Sequence, residues 1–125
     1  MKIILSIKPE FAEKIFEGTK SFEFRRSIFK KNRDVKTVIV YASAPISKII
    51  GEFDIDSVIH SDILSLWEKT KSSAGITKEY YLEYFEGKEL GFALKIKGTR
   101  LYESYKDIQQ EFGVKPPRSF VYVND

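Results

Sequence analysis

The residues best suited to chemistry lie together near the N-terminus, in the segment Gly18-Thr19-Lys20-Ser21-Phe22-Glu23-Phe24-Arg25. Two phenylalanines alternate there with Glu23 and Arg25, which is typical of a strand with one apolar face, and Lys20 stands at its entrance. A partly buried Lys20 could lose its proton near neutral pH and act as a base or nucleophile, oriented by Glu23. The segment therefore predicts a functional cleft, and a structural ion-pair ladder of Lys20, Glu23 and Arg25 is the alternative.

The spacing of these charges determines which face of a regular strand each side chain would occupy. Lys20 and Glu23 have opposite strand parity, so a regular strand would turn them to different faces. A β-bulge, or an irregular start after Gly18, would bring both into one cleft. Arg25 and Arg26 point to opposite faces of the predicted strand 20–27, so one can bind phosphate bidentately while the other pairs with a carboxylate.

Further candidate ligand-binding residues lie elsewhere in the chain. Trp67 could stack on a base, although a single tryptophan on an apolar helix face favours a place in the core. Ser43 and Ser119 lie at predicted strand ends, where they could line a cleft or cap local backbone. Residues 1–37 hold ten Lys/Arg against five Asp/Glu, a basic excess that suits a polyanion. Its loop cations either bind that polyanion or only keep a hairpin soluble: Lys30, Lys31, Arg33 and Lys36.

Length and composition limit the classes of protein. At 125 residues and 42% hydrophobic content, the chain predicts a single domain, 1–125. It has no cysteine and one histidine, His60, so we predict no disulfide, metal site or cofactor, although carboxylates could bind Mg²⁺ or Mn²⁺ weakly. No phosphate-binding loop or nucleophile elbow is present, which sets aside ATP-driven and serine-hydrolase chemistry. The first apolar run is too short for a signal peptide or membrane span, so we expect a cytoplasmic protein without a membrane partner.

The elements that must position these residues can be predicted in outline. The pattern predicts strands at 2–7, 20–27, 37–42, 51–59, 90–96 (resumed after Gly98) and 119–123. It predicts helices over 9–17, after Ser61-Asp62, after Thr77, and after a capping unit at Ser104–Asp107 with Tyr105 turned inward. Residues 71–75 read as a loop. About six strands with interspersed helices favour an α+β fold built on a small mixed β-barrel.

The pattern Gly-x-Lys-x-x-Glu-x-Arg at residues 18–25 resembles the signature of the ASCH family (activating signal cointegrator homology), a branch of the PUA-like proteins. Three further segments are similar to that family in the same order, and together they cover nearly the whole chain: 6–12, 41–45 and 116–122. The resemblance implies a PUA-like barrel with helices packed around it. It also implies a cleft beside the signature strand that holds RNA or a modified nucleobase.

Some ASCH proteins hydrolyse N4-acetylcytidine with a lysine, a threonine and a glutamate, and the resemblance maps these roles onto this chain only in part. The lysine falls on Lys20, but Glu23 occupies the threonine position. The remaining glutamate would be Glu79, with Glu83 as the alternative.

We therefore expect binding of RNA or a modified nucleoside in a cleft around Lys20, Glu23 and Arg25. The alternative is a hydrolase in the same cleft, either an amidohydrolase on an N4-acylated cytidine or a metal-dependent ribonuclease. A protein-interaction module is a third hypothesis, supported only by exposed charge, and protein partners stay undetermined.

Overall fold

The computed structural model describes residues 1–30 and 34–124, and over these the chain forms one six-stranded sheet with four α-helices. A single 3₁₀ turn, Lys71–Ser73, leads out of the second helix. The strands are β1 (Lys2–Ile7), β2 (Phe22–Arg25), β3 (Thr37–Ala42), β4 (Lys48–Asp62), β5 (Leu90–Lys106) and β6 (Phe120–Val123). The helices are α1 (Pro9–Glu17), α2 (Ile63–Thr70), α3 (Lys78–Tyr84) and α4 (Ile108–Phe112).

The sheet is mixed, in the strand order β2-β5-β4-β3-β1-β6. Only β1 and β3 run parallel among the paired strands of the described chain, and the other neighbours are antiparallel. This confirms the predicted α+β class and the number of strands. The predicted barrel is wrong in one respect, because no strand pairing joins the edges β2 and β6 in the described residues.

A side-chain hydrogen bond joins the two edges of the sheet, β2 and β6, which would pair in a closed barrel. Arg25, the last residue of β2, donates from Nη2 to Oγ of Ser119, which immediately precedes β6, over 2.7 Å. Both edge strands are only four residues long, and the prolines at 116 and 117 before β6 have no N–H to donate to a ladder. The two edges therefore meet through side chains and not through backbone hydrogen bonds.

Helix α1 has the predicted bounds, with Pro9 in its first turn and Gly18 as a left-handed C-cap at φ 90°. The backbone N–H groups of Thr19 and Lys20 both donate to the Lys14 carbonyl, at 3.0 and 3.1 Å. These bonds belong to the end of the helix, so β2 starts only at Phe22 and not at residue 20. Because Lys20 precedes the regular strand, the opposite strand parity of Lys20 and Glu23 does not force their side chains to different faces.

Further boundaries differ from the sequence prediction, since β2 ends at Arg25 and not at residue 27, and β4 is longer than predicted, at Lys48–Asp62. Strand β5 continues through Lys106, and the fourth helix is capped by Asp107, whose carboxylate accepts the Gln110 N–H at 3.0 Å. Tyr105 is consequently a half-exposed strand residue (51%) and not an inward helix residue. The caps predicted for α2 and α3 are confirmed, since Asp62 accepts from Ser65 and Thr77 accepts from Tyr80.

The core has an aromatic part that fixes the back of β2. In it, the phenylalanines of β2 pack under α2 and α3, together with Leu66, Trp67, Tyr81 and Phe85. The Tyr81 ring lies 5.1 Å from that of Phe24 and 4.9 Å from that of Trp67. In the described ranges, no helix has the length and apolarity needed to cross a bilayer.

Candidate functional site

A cavity of about 480 Å³ opens beside β2, a volume suited to a small organic ligand. Its walls come from the end of β1, helix α1, β2 with the residues on either side of it, helix α3 with the connection before it, and the segment before β6. It brings together five of the predicted site residues: Lys20, Glu23, Arg25, Arg26 and Ser119. The other lining residues are Ser6, Ile7, Lys8, Phe11, Phe24, Ser27, Ile76, Tyr80, Tyr84 and Arg118.

The cavity is strongly basic. Its described lining has five cationic side chains and a single carboxylate, that of Glu23. The cations Lys8, Arg26 and Arg118 are exposed, whereas Lys20 and Glu23 are 2% and 7% exposed and lie deep in the site. The site therefore combines an exposed positive surface with a buried pair of opposite charge, which suits an anionic ligand with a polar group that reaches inward.

The Lys20 ammonium is held by backbone and aromatic groups. Its Nζ donates to the carbonyl oxygen of Ala74 at 2.8 Å and lies 4.9 and 5.5 Å from the ring centroids of Phe24 and Phe11. Burial lowers the pKa of Lys20, with a smaller contribution from the nearby charge of Lys14, while the carboxylate of Glu23 acts in the opposite direction. Burial outweighs the Glu23 attraction, so this lysine loses its proton more easily than an exposed one.

The pKa of Glu23 is shifted in the opposite direction to that of Lys20. Burial raises the pKa of its carboxyl group, and the charges of Lys20 and Arg25 oppose that shift. Nη1 of Arg25 lies 3.6 Å from Oε2 of Glu23. A carboxyl group with a raised pKa near an amine with a lowered pKa is an arrangement typical of general acid–base sites.

The two arginines differ in how they are held. Arg25 uses Nη2 on Ser119 and Nη1 on Glu23, while its Nε–H is buried and has no hydrogen-bond partner among the described protein atoms. A buried donor of this kind is unusual and can serve an acceptor on a ligand. Arg26 donates to the carbonyl of Tyr84, the last residue of α3, at 2.8 Å and to that of Glu86 at 2.9 Å. Its guanidinium thus complements the negative end of that helix and stays at the rim.

Several predicted site residues lie away from the cavity. Trp67 is 9% exposed in the aromatic core, so it is not placed to stack on a ligand there. Ser43 lies in the turn after β3, where its N–H donates to the Ile7 carbonyl, and Lys30 is exposed outside the cavity lining. Lys31 and Arg33 lie outside the described residues.

The orientation of α3 places the two candidate glutamates outside the cavity lining. This helix turns Tyr80 and Tyr84, four residues apart, toward the cavity and turns Tyr81 toward the core. Glu79 and Glu83 each precede a cavity residue by one position, about 100° around the helix. Both are exposed and neither lines the cavity, so the structure gives neither of them a place beside Lys20.

Sequence reasoning missed the residues contributed by other elements, chiefly Lys8, Tyr80, Tyr84 and Arg118. Lys8 follows β1 with its Nζ 5.1 Å from the Tyr80 ring centroid, and that ring meets Phe11 edge-on at 5.1 Å. The spacing of the two tyrosines was a usable signal. Arg118 adjoins the predicted Ser119 and could have been found with it.

In the part of the chain that the structure describes, no three His, Cys, Asp or Glu side chains come together in a way that could hold a metal ion.

The fold is that of an ASCH domain. The sequence pattern that defines the ASCH domain matches residues 5–116, so the chain belongs to the ASCH domain family. Its fold superimposes on the crystal structure of ASCH from Zymomonas mobilis with a TM-score of 0.89 and 25% identity, covering 98% of this chain and 87% of that one.

Two kinds of sequence relative stand out. An ASCH domain-containing ribonuclease of Zymomonas mobilis is 28% identical over 125 residues, covering 96% of this chain and 82% of the relative. The large ribosomal subunit protein uL22 of Ureaplasma parvum serovar 3 is 32% identical over 124 residues, covering 97% of this chain. The chain spans only 39% of that protein's length.

Proposed function

We propose that the chain binds RNA, with one nucleotide entering the cavity beside β2. The observation that carries this proposal is the combination of five cations, one buried carboxylate and four aromatic rings around about 480 Å³. Cations recognise phosphate, and aromatic rings stack on bases without requiring a particular sequence. The ribonuclease name of the Zymomonas mobilis relative supports an RNA ligand. A modified nucleoside is a second candidate ligand, which would use the aromatic rings and the buried Lys20 and Glu23 but has no phosphate for the exposed cations. We further propose that the protein acts in the cytoplasm.

Within this proposal the site divides by depth. Lys8, Arg26 and Arg118 are exposed at the rim, where they can neutralise phosphates. Tyr80 and Tyr84 offer ring surfaces between rim and floor. Lys20 and Glu23 at the floor can then hydrogen-bond the edge of an unpaired base, since a base stacked inside a duplex cannot reach them.

The test is an anisotropy titration of a fluorescent single-stranded RNA at several salt concentrations. Lys20→Ala and Lys20→Arg are compared with Lys97→Ala, which removes an exposed lysine of β5 that does not line the cavity. A purely electrostatic role predicts that both alanine variants lose about the same affinity and reduce the salt slope by about 0.7. A cleft role predicts a loss of tenfold or more for Lys20→Ala alone, with no recovery in Lys20→Arg, because a planar guanidinium does not replace the compact ammonium.

The outcome against the proposal is equally definite. If Lys20→Ala binds as Lys97→Ala does, the cavity is not the RNA site. If Lys20→Ala unfolds the protein and Lys20→Arg restores it fully, the signature is a structural ion-pair network.

A hydrolase in the same cavity is the second candidate, favoured by the lowered pKa of Lys20 beside the raised pKa of Glu23. Such a pair could serve as general base and general acid in RNA cleavage. End-labelled RNA and N4-acetylcytidine are each incubated with the protein, with EDTA or with Mn²⁺, and analysed for product. RNA cleavage in EDTA supports the Lys20–Glu23 pair, cleavage only with Mn²⁺ supports a metal-dependent ribonuclease, and no product leaves binding as the function.

Deacetylation of N4-acetylcytidine has less support than RNA cleavage. Glu23 occupies the threonine position of that activity, and Glu79 lies outside the cavity.

A further inference from the structure

The connection between α2 and α3, residues 71–76, forms the wall against which Lys20 lies. The Ala74 carbonyl accepts from Nζ of Lys20 at 2.8 Å, and the Ser73 carbonyl accepts from the backbone N–H of Ser21 at 2.9 Å. Nζ of Lys14, from the last turn of α1, donates to the Gly75 carbonyl at 3.2 Å. Three successive carbonyls of this connection therefore hold the chain around Lys20.

Gly75 allows this wall to come close. Its φ is +71°, and a Cβ added there would lie 2.5, 2.6 and 3.0 Å from Cβ, Cγ and Cδ of Lys20. Distances under 3.0 Å are shorter than real contacts of a Cβ atom, so any side chain at position 75 must displace the aliphatic part of Lys20 or the connection itself. Lys20 has little room to yield, because Phe11 and Phe24 flank its ammonium group.

We propose that Ala74 and Gly75 position Lys20 for the ligand, with Gly75 as the residue that permits the approach and the Ala74 carbonyl as the group that orients the ammonium. This inference rests on the proposed function, since it names what holds the lysine of that site. One of the three ammonium donors is used by Ala74, which leaves two for the ligand and fixes their direction. Gly75 contacts no ligand in this scheme and is a positioning residue only.

The decisive variant is Gly75→Ala, with Gly113→Ala as a matched control. Gly113 has nearly the same backbone angle (φ +67°), but nothing lies within 4 Å of an added Cβ. Both variants bear the strain of a positive φ, and only the first displaces Lys20. We expect the RNA affinity of Gly75→Ala to fall at least tenfold and that of Gly113→Ala to change less than twofold.

A double-variant comparison shows whether the effect passes through Lys20. In the Lys20→Ala background the ammonium group that binds the ligand is already gone, so Gly75→Ala should weaken RNA binding little further, although the added Cβ still lies 2.5 Å from the Cβ that residue 20 retains. An equal fold-loss in both backgrounds would mean that Gly75 acts independently of Lys20 and would overturn the inference.

A second measurement needs no RNA. Acetylation of lysines by a water-soluble amine reagent, followed by mass spectrometry, should show that Lys20 reacts far more slowly than the exposed Lys97. Gly75→Ala should bring the Lys20 rate toward that of Lys97, while Gly113→Ala should leave it unchanged. If Gly75→Ala does not fold, Gly75→Asn against Gly113→Asn repeats the comparison, because asparagine tolerates positive φ.

The two proposals can fail separately. A parent chain that binds no RNA, together with the expected change in Lys20 acetylation, overturns the proposed function and with it the ligand role of Lys20, while the contact with Gly75 stands. An unchanged Lys20 rate in a folded Gly75 variant overturns the positioning of Lys20, whatever the RNA measurement shows.

Discussion

Trp67→Ala should cost the fold much stability and leave RNA binding intact, because this side chain packs in the core and not in the cavity. The residue is 9% exposed, and its ring centroid lies 4.9 Å from that of Tyr81. Truncation of a buried tryptophan costs about 3–5 kcal/mol. With an unfolding entropy of about 2.1 cal/mol/K per residue, the 125 residues give roughly 0.26 kcal/mol/K, so the melting temperature should fall by about 11–19 °C.

Tyr80→Ala should show the opposite behaviour. Tyr80 lines the cavity, is only half-buried, and has one edge-on aromatic neighbour, Phe11. Its truncation should cost about 1–2 kcal/mol of stability, as expected for a single aromatic contact and partial burial. Loss of stacking on a base contributes about 1–3 kcal/mol, so the RNA affinity should fall about 5- to 150-fold.

The assay measures both properties on each variant, by thermal and urea unfolding and by RNA anisotropy at a temperature where all variants are folded. Leu82→Ala, an exposed position on the same helix as Tyr80, serves as a control expected to change neither property. If Trp67→Ala melted like the parent but lost RNA, Trp67 would be a ligand-stacking residue and the placement of the site would be wrong. If Tyr80→Ala bound RNA normally, stacking on that tyrosine would be excluded.

Three further changes test other parts of the structure. Ser119→Ala should cost about 1.5–3 kcal/mol in urea unfolding, because Arg25 loses the acceptor that joins the two sheet edges; an unchanged midpoint would show that this bond does not hold them. The pKa of Lys20 is lowered in the folded protein and has its ordinary value of 10.5 in the unfolded chain, so the unfolded chain binds more protons between these two values. The free energy of unfolding of the parent should therefore rise with pH in that interval. Lys20→Met should lack this gain when urea unfolding is measured from pH 7 to 10. Gly51→Ala should destabilise the fold by about 1–3 kcal/mol, because the new Cβ would lie 2.5 Å from the Arg100 carbonyl oxygen and 2.7 Å from the Phe16 ring; a parent-like urea midpoint would show that β5 and α1 can yield there.

The sequence predicted helix ends correctly where a single proline, glycine or capping residue determines the boundary. Pro9 and Gly18 delimit α1, and Asp62 and Thr77 cap their helices, because each effect acts within one helical turn. The local pattern favoured Ser104 over Asp107 as the cap of the fourth helix. It holds no information on the pairing of β5 with β4, which extends the strand to Lys106. Strand length depends on partners that lie far away in sequence, and this information is absent from a local pattern.

The candidate site was predicted on β2 and missed on the other walls for a related reason. Lys20, Glu23 and Arg25 lie within six residues, so their proximity needs no tertiary information. Helix α3 and its C-cap residue carry aromatic side chains at 80, 81, 84 and 85, and periodicity separates these into two faces without telling which one meets the core. Residues 71–75 were predicted only as a loop, and no property of their sequence reveals that Ser73 and Ala74 bond the segment around Lys20.

The structural alternative for the signature, an ion-pair ladder, explains Arg25 better than it explains Lys20. Arg25 lies 3.6 Å from Glu23 and bonds Ser119, so it ties β2 to the segment before β6. Lys20 instead donates to a backbone carbonyl and lies between two phenylalanine rings. Burying an ammonium costs several kcal/mol before any compensation, and well-packed apolar side chains often serve stability as well or better. Because the fold's own needs account for Arg25 and not for the charge of Lys20, the variants that decide the function are those that change or displace that lysine.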